Sequence, residues 1–120
     1  MNGLLVWERP QIRSGPGDPL FIELLAKFYR GLGDLTRLRI LEHLLDGEKS
    51  VGEFVDLIGS PQGRISSHLA CFAVMRVRYR SQRRPECVYR VADRRVAGIL
   101  TLGESMVQGN AERIFACTRT

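Results

Sequence analysis

The sequence predicts a mainly α-helical domain that carries one β-hairpin. Apolar residues recur at helical spacing in five stretches, and proline, glycine or a capping side chain separates one stretch from the next. Between the fourth and fifth stretches the period changes to strict alternation, which is typical of paired strands. The chain has 120 residues, of which 44% are hydrophobic and 26% charged. This length and composition indicate one globular domain.

The chain begins with a segment that lacks periodicity. Residues 1–17 hold two prolines and three glycines, and we interpret them as an N-terminal arm. Two possibilities stay open for this arm: a frayed tail, or an ordered contact through Leu4, Leu5 and Trp7. The domain itself is expected over residues 18–116, followed by a short tail over 117–120.

The first helix is predicted to start at Asp18 and Pro19, an N-cap followed by proline at the first helical position. Gly31 and Gly33 are expected to end it. Its apolar stripe comprises Phe21, Leu24, Leu25, Phe28 and Tyr29.

The second helix is expected to start after the N-cap Asp34 and to end at Asp46-Gly47. Leucines at helical spacing predict its inward face. They are Leu35, Leu38, Leu41, Leu44 and Leu45.

A short third helix is predicted over 51–58, with Ser50 as N-cap and Glu53 completing a capping box. Gly59 separates it from a fourth helix, for which Ser60 is the expected N-cap and Pro61 the first helical residue. A short helix, a tight turn and a second helix with a polar leading end form a helix-turn-helix. The residues of the fourth helix that are expected to face the core are Ile65, Leu69, Phe72 and Ala73.

A two-stranded hairpin is predicted after Val77, with an arginine-rich tip over 82–85. A basic hairpin that follows a recognition helix is a wing, so the predicted fold is a winged helix-turn-helix. The residues that alternate toward one side are Val77, Tyr79 and Ser81 in the first strand and Cys87, Tyr89 and Val91 in the second.

The fifth helix is predicted over roughly 94–115, with Asp93 as its cap. It carries more apolar surface than a small domain needs to bury. We therefore expect a homodimer that forms through the first and last helices, as recognition of palindromic DNA requires. The apolar residues are Val96, Ile99, Leu100, Met106, Val107, Ile114 and Phe115.

Positive charge is concentrated in one segment. Residues 60–85 contain six arginines and neither Asp nor Glu, whereas the whole chain has a formal charge of +5. Such a segment indicates binding to double-stranded DNA, although a charged edge strand that only maintains solubility stays an alternative. The candidate DNA contacts are Gln62, Arg64, Ser66, Ser67 and His68 in the helix, and Arg78, Arg80, Arg83 and Arg84 in the hairpin.

Other classes of protein receive little support from the sequence. No apolar run has membrane-spanning length, and no leader is recognisable, which favours a cytoplasmic protein without membrane contacts. No combination of nucleophile and base, glycine-rich phosphate loop or carboxylate pair predicts an enzyme. The three cysteines are an odd number, which argues against a disulfide scaffold.

Three motifs resemble the ArsR/SmtB family of metal-responsive repressors. Residues 33–41, GDLTRLRIL, resemble its "ADPTRLRIL" segment; residues 65–69, ISSHL, resemble the "VSxHL" of its recognition helix; and residues 88–93, VYRVAD, resemble the end of its wing. The resemblance implies a dimeric repressor that releases DNA when an inducer binds. Arg76 stands where a glycine usually ends the recognition helix, so we expect this helix to end without a left-handed residue.

The resemblance is strongest to the cadmium- and lead-sensing, CmtR-like branch and the similar mercury-responsive regulators of actinobacteria. Cys71 matches the first cysteine of that recognition helix, Cys117 stands where a C-terminal cysteine is expected, and Met75 replaces a second cysteine. The family's zinc-type site on the last helix receives less support, because Arg95 follows Asp93 where histidine is needed.

Thiolates select soft ions, so Cys71, Cys117 and Cys87, with Met75 as a weaker candidate, predict Cd, Pb, Hg or As(III) as inducer. We expect the wing strand that carries Cys87 to run back close to the recognition helix. We expect no metal to be needed for folding. Cysteine is also often buried without a function, so simple packing stays open. Two other hypotheses remain: a repressor of this fold that ignores metal or senses redox state, and a winged-helix module that binds protein.

Overall fold

A computed structural model describes residues 15–82 and 87–117 of the chain. The expected contact of the arm through Leu4, Leu5 and Trp7, the tip of the hairpin and the last three residues lie outside these ranges. The described residues form five helices and three strands. In chain order these are α1 (Pro19–Leu32), α2 (Leu35–Leu45), β1 (Lys49–Ser50), α3 (Val51–Ile58), α4 (Gln62–Val74), β2 (Arg78–Gln82), β3 (Cys87–Val91) and α5 (Arg95–Ala116). The chain divides into two compact units after Asp34.

Helix α1 belongs to the first unit and starts as predicted. The Asp18 carboxylate accepts a hydrogen bond of 2.9 Å from the backbone N–H of Leu20, and Pro19 occupies the first turn. Gly33 forms the C-cap. Two side chains of the predicted apolar stripe, Leu24 and Tyr29, are exposed in the single chain.

The core of the second unit lies between α2, α3 and α4. In α2, Leu41 and Leu44 are buried as predicted, but Leu35 and Leu45 are exposed. Ile40, which the leucine pattern left out, is completely buried, so the inward face is rotated around the helix axis. The buried apolar side chains of this unit are Ile40, Leu41, Leu44, Phe54, Ile65, Leu69, Phe72, Val77 and Val96.

The helix-turn-helix forms through a capping box and a glycine turn. The Ser50 hydroxyl accepts from the N–H of Glu53 (3.2 Å), and the Glu53 carboxylate accepts from the N–H of Ser50 (2.8 Å), as predicted. Gly59 ends α3 in the left-handed conformation, with φ 87°. The expected capping by Ser60 is wrong. Pro61 is itself the N-cap, and no side chain caps the helix.

The end of α4 differs from the expectation. Arg76 has a φ of 60°, so a left-handed residue does end this helix. The N–H of Arg76 donates to Ala73 O (3.0 Å), and the N–H of Val77 donates to Phe72 O (2.8 Å). These two bonds form a Schellman motif, in which the last carbonyls of a helix find donors after the chain reverses direction.

The hairpin is present and has an additional neighbour. Strands β2 and β3 pair antiparallel, with Arg78 opposite Val91 and Gln82 opposite Cys87. The two-residue strand β1, which the sequence did not predict, pairs with the other edge of β3. The sheet order is therefore β1-β3-β2.

Helix α5 starts one residue later than predicted, with Arg94 as its N-cap. The Asp93 carboxylate still accepts from the N–H of Arg95, at 2.9 Å. Asn110 has non-helical angles and interrupts the helix. All residues from 101 to 116 are exposed in the single chain. None of the helices among the described residues is long and apolar enough to cross a membrane.

Candidate nucleic-acid interface and thiol site

The leading end of α4 presents a row of polar side chains to solvent. Gln62, Arg64, Ser66 and Ser67 are all exposed, whereas Ile65 between them is buried. The helical period therefore fixes one face in the core and leaves the others accessible. Short hydroxyls, an amide and a guanidinium can reach base edges and phosphates from such a helix.

His68 is half-buried and contacts a neighbouring helix. Its Nδ1 accepts a hydrogen bond of 3.0 Å from Nε of Arg37 in α2. The neutral ring therefore carries its proton on Nε2. The bond orients the imidazole and links α4 to α2, and a contact between His68 and DNA stays a prediction.

Arg78 connects α4 with the hairpin. Its Nε donates to Leu69 O at 2.8 Å, and its guanidinium carbon lies 4.7 Å from the centre of the Tyr89 ring. A cation over an aromatic face is attracted to the ring. Arg78 thus has internal contacts that position the hairpin beside α4, which the charge pattern did not indicate.

The contacts of the other arginines predicted to bind DNA are less well defined. Arg80 lies in β2, where its backbone pairs with Tyr89. Arg83 and Arg84 belong to the hairpin tip, outside the described residues. Their role at a DNA backbone stays a prediction.

Asp93 forms an ion pair with Arg95. The guanidinium Nη2 of Arg95 lies 2.6 Å from Oδ2 of Asp93. Hydrogen bonds from the Arg95 side chain, and then from its backbone N–H, lower the pKa of Asp93 to about 2. A cation therefore already faces the carboxylate that a zinc-type site on α5 would use.

The three cysteines lie at different places in the fold, and none of them forms a disulfide within the described part of the chain. Cys71 is half-buried in α4, Cys117 is exposed just after α5, and Cys87 is half-buried at the start of β3. Cys87 lies opposite Gln82 at the tip end of the hairpin, about 13 Å along the strand from Val91. Among the described residues of one chain, no three Cys, His, Asp or Glu side chains are grouped to hold a metal ion.

Cys71 does have a second sulfur beside it. Its Sγ lies 3.9 Å from Sδ of Met75, one turn later in α4. The spacing of four residues places both on one helix face, as the sequence indicated. Both side chains are half-buried.

Comparison with known proteins shows that this chain is similar to bacterial regulatory proteins. The sequence profile described as "Bacterial regulatory protein, arsR family" matches residues 34–75. A protein of Streptomyces lividans described as a probable mercury resistance operon repressor is 38% identical over 96 residues, which are 78% of this chain and 75% of that protein.

Two solved structures have similar folds. Rv0081 of Mycobacterium tuberculosis has a TM-score of 0.72 and 25% identity, over 81% of this chain and 98% of that one. A homodimeric winged helix-turn-helix DNA-binding domain, Mb0332 of Mycobacterium bovis, has a TM-score of 0.71 and 19% identity, over 86% and 95% of the two chains. The second likeness concerns the fold alone.

Proposed function

Because this chain belongs to the arsR family of bacterial regulatory proteins, we propose that it is a homodimeric repressor that releases its operator when a soft metal ion binds its thiolates. The observation that carries the DNA-binding part is the exposed polar end of α4 within a helix-turn-helix. A helix of this kind enters a major groove with its leading residues against the bases. Three other arginines of the hairpin, Arg80, Arg83 and Arg84, would add contacts to phosphates.

The proposed dimer is supported by the surface of α5. Leu102, Met106 and Phe115 are at least 67% exposed in the single chain. Large apolar side chains grouped along one helix are typical of a protein–protein interface. A two-fold pair through α5 would cover them and would place two recognition helices on one operator.

The proposed inducer site consists of Cys71 and Cys117. The relative from Streptomyces lividans is described as a mercury resistance repressor, and thiolates prefer soft ions such as Hg(II). No group of three ligands forms within the described part of one chain. We propose that Cys117 of one subunit reaches Cys71 of the other.

Release of DNA would follow from a change in dimer geometry. Metal bound between α4 of one subunit and the end of α5 of the other would favour one relative orientation of the two recognition helices. A preference of about 1–3 kcal/mol between the two orientations changes operator affinity about 5- to 150-fold.

A binding assay with metal ions tests this function. The full-length protein is titrated onto its upstream DNA, followed by fluorescence anisotropy, with and without Hg(II), Cd(II), Pb(II) or arsenite. We expect at least one ion to release the DNA from the wild type, and Cys71→Ser and Cys117→Ser to abolish this response while they still bind DNA.

Cys87→Ser tests the third candidate thiol, which lies at the tip end of the hairpin, opposite Gln82. We expect this variant to retain the response to metal, and a lost response would add Cys87 to the site. Wild-type protein that stays on DNA with every ion would indicate a repressor with a different inducer. Protein that binds no DNA at low salt would rule out the repressor itself.

A further inference from the structure

The function proposed above uses the thiol of Cys71 but leaves out the sulfur atom beside it on α4, that of Met75. Cys71 Sγ and Met75 Sδ are 3.9 Å apart and lie on one face of the helix. Both side chains are half-buried. The two sulfur ligands would differ in charge, because the Cys71 thiol can become an anion whereas the Met75 thioether stays neutral.

The distance between these sulfur atoms suits two bonds to one ion. With the zinc–sulfur bond length of about 2.3 Å, two ligands of a tetrahedral or trigonal ion are about 3.8–4.0 Å apart, and a larger ion needs a slightly wider spacing. The observed 3.9 Å falls within this range. One ion could therefore contact both sulfur atoms while α4 keeps its conformation.

The charge around the pair limits which ions it can hold. The segment from Ser60 to Pro85 contains no carboxylate, and the exposed Arg76 follows Met75 directly. A neutral thioether contributes no negative charge to compensate a hard or borderline cation. It binds well only to very soft ions, such as Hg(II), Ag(I) and Cu(I).

We propose that Met75 is a metal ligand that, together with Cys71, restricts the site to these very soft ions. Cd(II), Pb(II) and As(III), which are best bound by three thiolates, would then bind weakly. This inference rests on the proposed function for the identity of the site, and it adds the class of ion that the site accepts.

The test measures metal binding directly on the full-length protein. Hg(II), Ag(I) and Cd(II) are titrated separately, with thiolate-to-metal absorption as one readout. The second readout is the NMR signal of methionine methyl groups labelled with carbon-13. Binding of Hg(II) or Ag(I) should shift the Met75 methyl signal, which is identified as the signal that Met75→Leu removes.

Three variants complete the test. Met75→Leu keeps the size of the side chain and removes the sulfur, so it should weaken Ag(I) and Hg(II) binding about tenfold or more. Loss of a residue that only supports a metal ligand already lowers metal affinity about tenfold, and loss of a ligand should cost at least as much. Met75→Cys should strengthen Cd(II) binding by at least a similar factor. Val74→Leu, the matched control one residue before Met75 on α4, alters an exposed apolar side chain that has no sulfur, and it should change neither affinity.

The outcomes separate this inference from the proposed function. If Hg(II) releases DNA from the wild type while Met75→Leu binds Hg(II) and Ag(I) unchanged and the Met75 methyl signal stays in place, Met75 is not a ligand. If the wild type binds Cd(II) as tightly as Hg(II), the proposed restriction is wrong. If Met75 binds Ag(I) but no ion releases DNA, the function fails and the ligand assignment stands.

Discussion

Arg76 is a non-glycine residue in a left-handed conformation, which costs about 1–2 kcal/mol in an L-residue. It is exposed, with a φ of 60°. The hydrogen bonds that Arg76 and Val77 donate back to α4, together with the burial of Val77, hold the chain in this turn. The position therefore carries local strain that the surrounding contacts offset.

We expect Arg76→Gly to stabilise the protein by up to about 1 kcal/mol, because relief of strain exceeds the extra flexibility of glycine in the unfolded chain. Urea unfolding followed by circular dichroism measures this change. Ala70→Gly is the control: Ala70 is also exposed, but it lies in the middle of α4, so glycine should destabilise the protein by about 1 kcal/mol. A loss of stability in Arg76→Gly would show that the Arg76 side chain contributes more than the strain.

At the scale of the elements, the two helices of the helix-turn-helix start in different ways. Helix α3 has a complete capping box around the buried Ser50. Helix α4 starts after Pro61 without any side-chain cap. The orientation of α4 therefore depends on Gly59, Pro61 and the buried side chains rather than on a cap of its own.

Ser50→Ala should destabilise the protein by about 1 kcal/mol, within a range of about 0.5–2 kcal/mol, because the N–H of Glu53 loses its acceptor. Ser60→Ala, the control at the start of the other helix, should change the free energy of unfolding by less than about 0.5 kcal/mol. Thermal and urea unfolding of the two variants provide the comparison. Equal losses in both would mean that Ser60 contributes a cap after all.

At the scale of the whole molecule, the arginines of the basic segment divide by their contacts. Arg64 is exposed on the leading half of α4, whereas Arg78 is half-buried between Leu69 O and the ring of Tyr89. Both contribute to the net charge. Only a guanidinium that meets a phosphate releases a counterion from DNA.

Arg64→Gln should weaken DNA binding and reduce the slope of log affinity against log salt concentration by about 1. Arg78→Gln should weaken binding through a displaced hairpin and lower the melting temperature, while the salt slope stays close to that of the wild type. Anisotropy titrations at several salt concentrations and thermal melts measure both effects. A reduced slope in Arg78→Gln would place its guanidinium on a phosphate.

The sequence predicted most of the fold because periodicity and capping are local signals. Asp18, the capping box at Ser50 and the alternation in the hairpin each depend on residues close in the chain. Strand β1 could not be recognised, since two residues carry no period and its partner Tyr89 is forty residues away. The left-handed Arg76 was missed because its conformation follows from the packing of Val77 on the core.

The site was predictable in its residue types and less so in its contacts. Spacing alone placed Cys71 beside Met75, and the exposed polar row of α4 followed from the burial of Ile65. The bond from Arg37 to His68 joins residues 31 positions apart, and the bond from Arg78 to Leu69 O joins a strand to the preceding helix. A charge count treats such arginines as equivalent to exposed ones.

The interruption of α5 at Asn110 has a mechanical consequence. The seven residues from 111 to 117 form a segment about 10 Å long, and the Cys117 sulfur lies at its far end. A rotation of about 20° at this joint would move the sulfur by about 3–4 Å, more than the length of a metal–sulfur bond. The dihedral angles of a single asparagine thus decide where the last thiol can reach, while the preceding four turns keep their place.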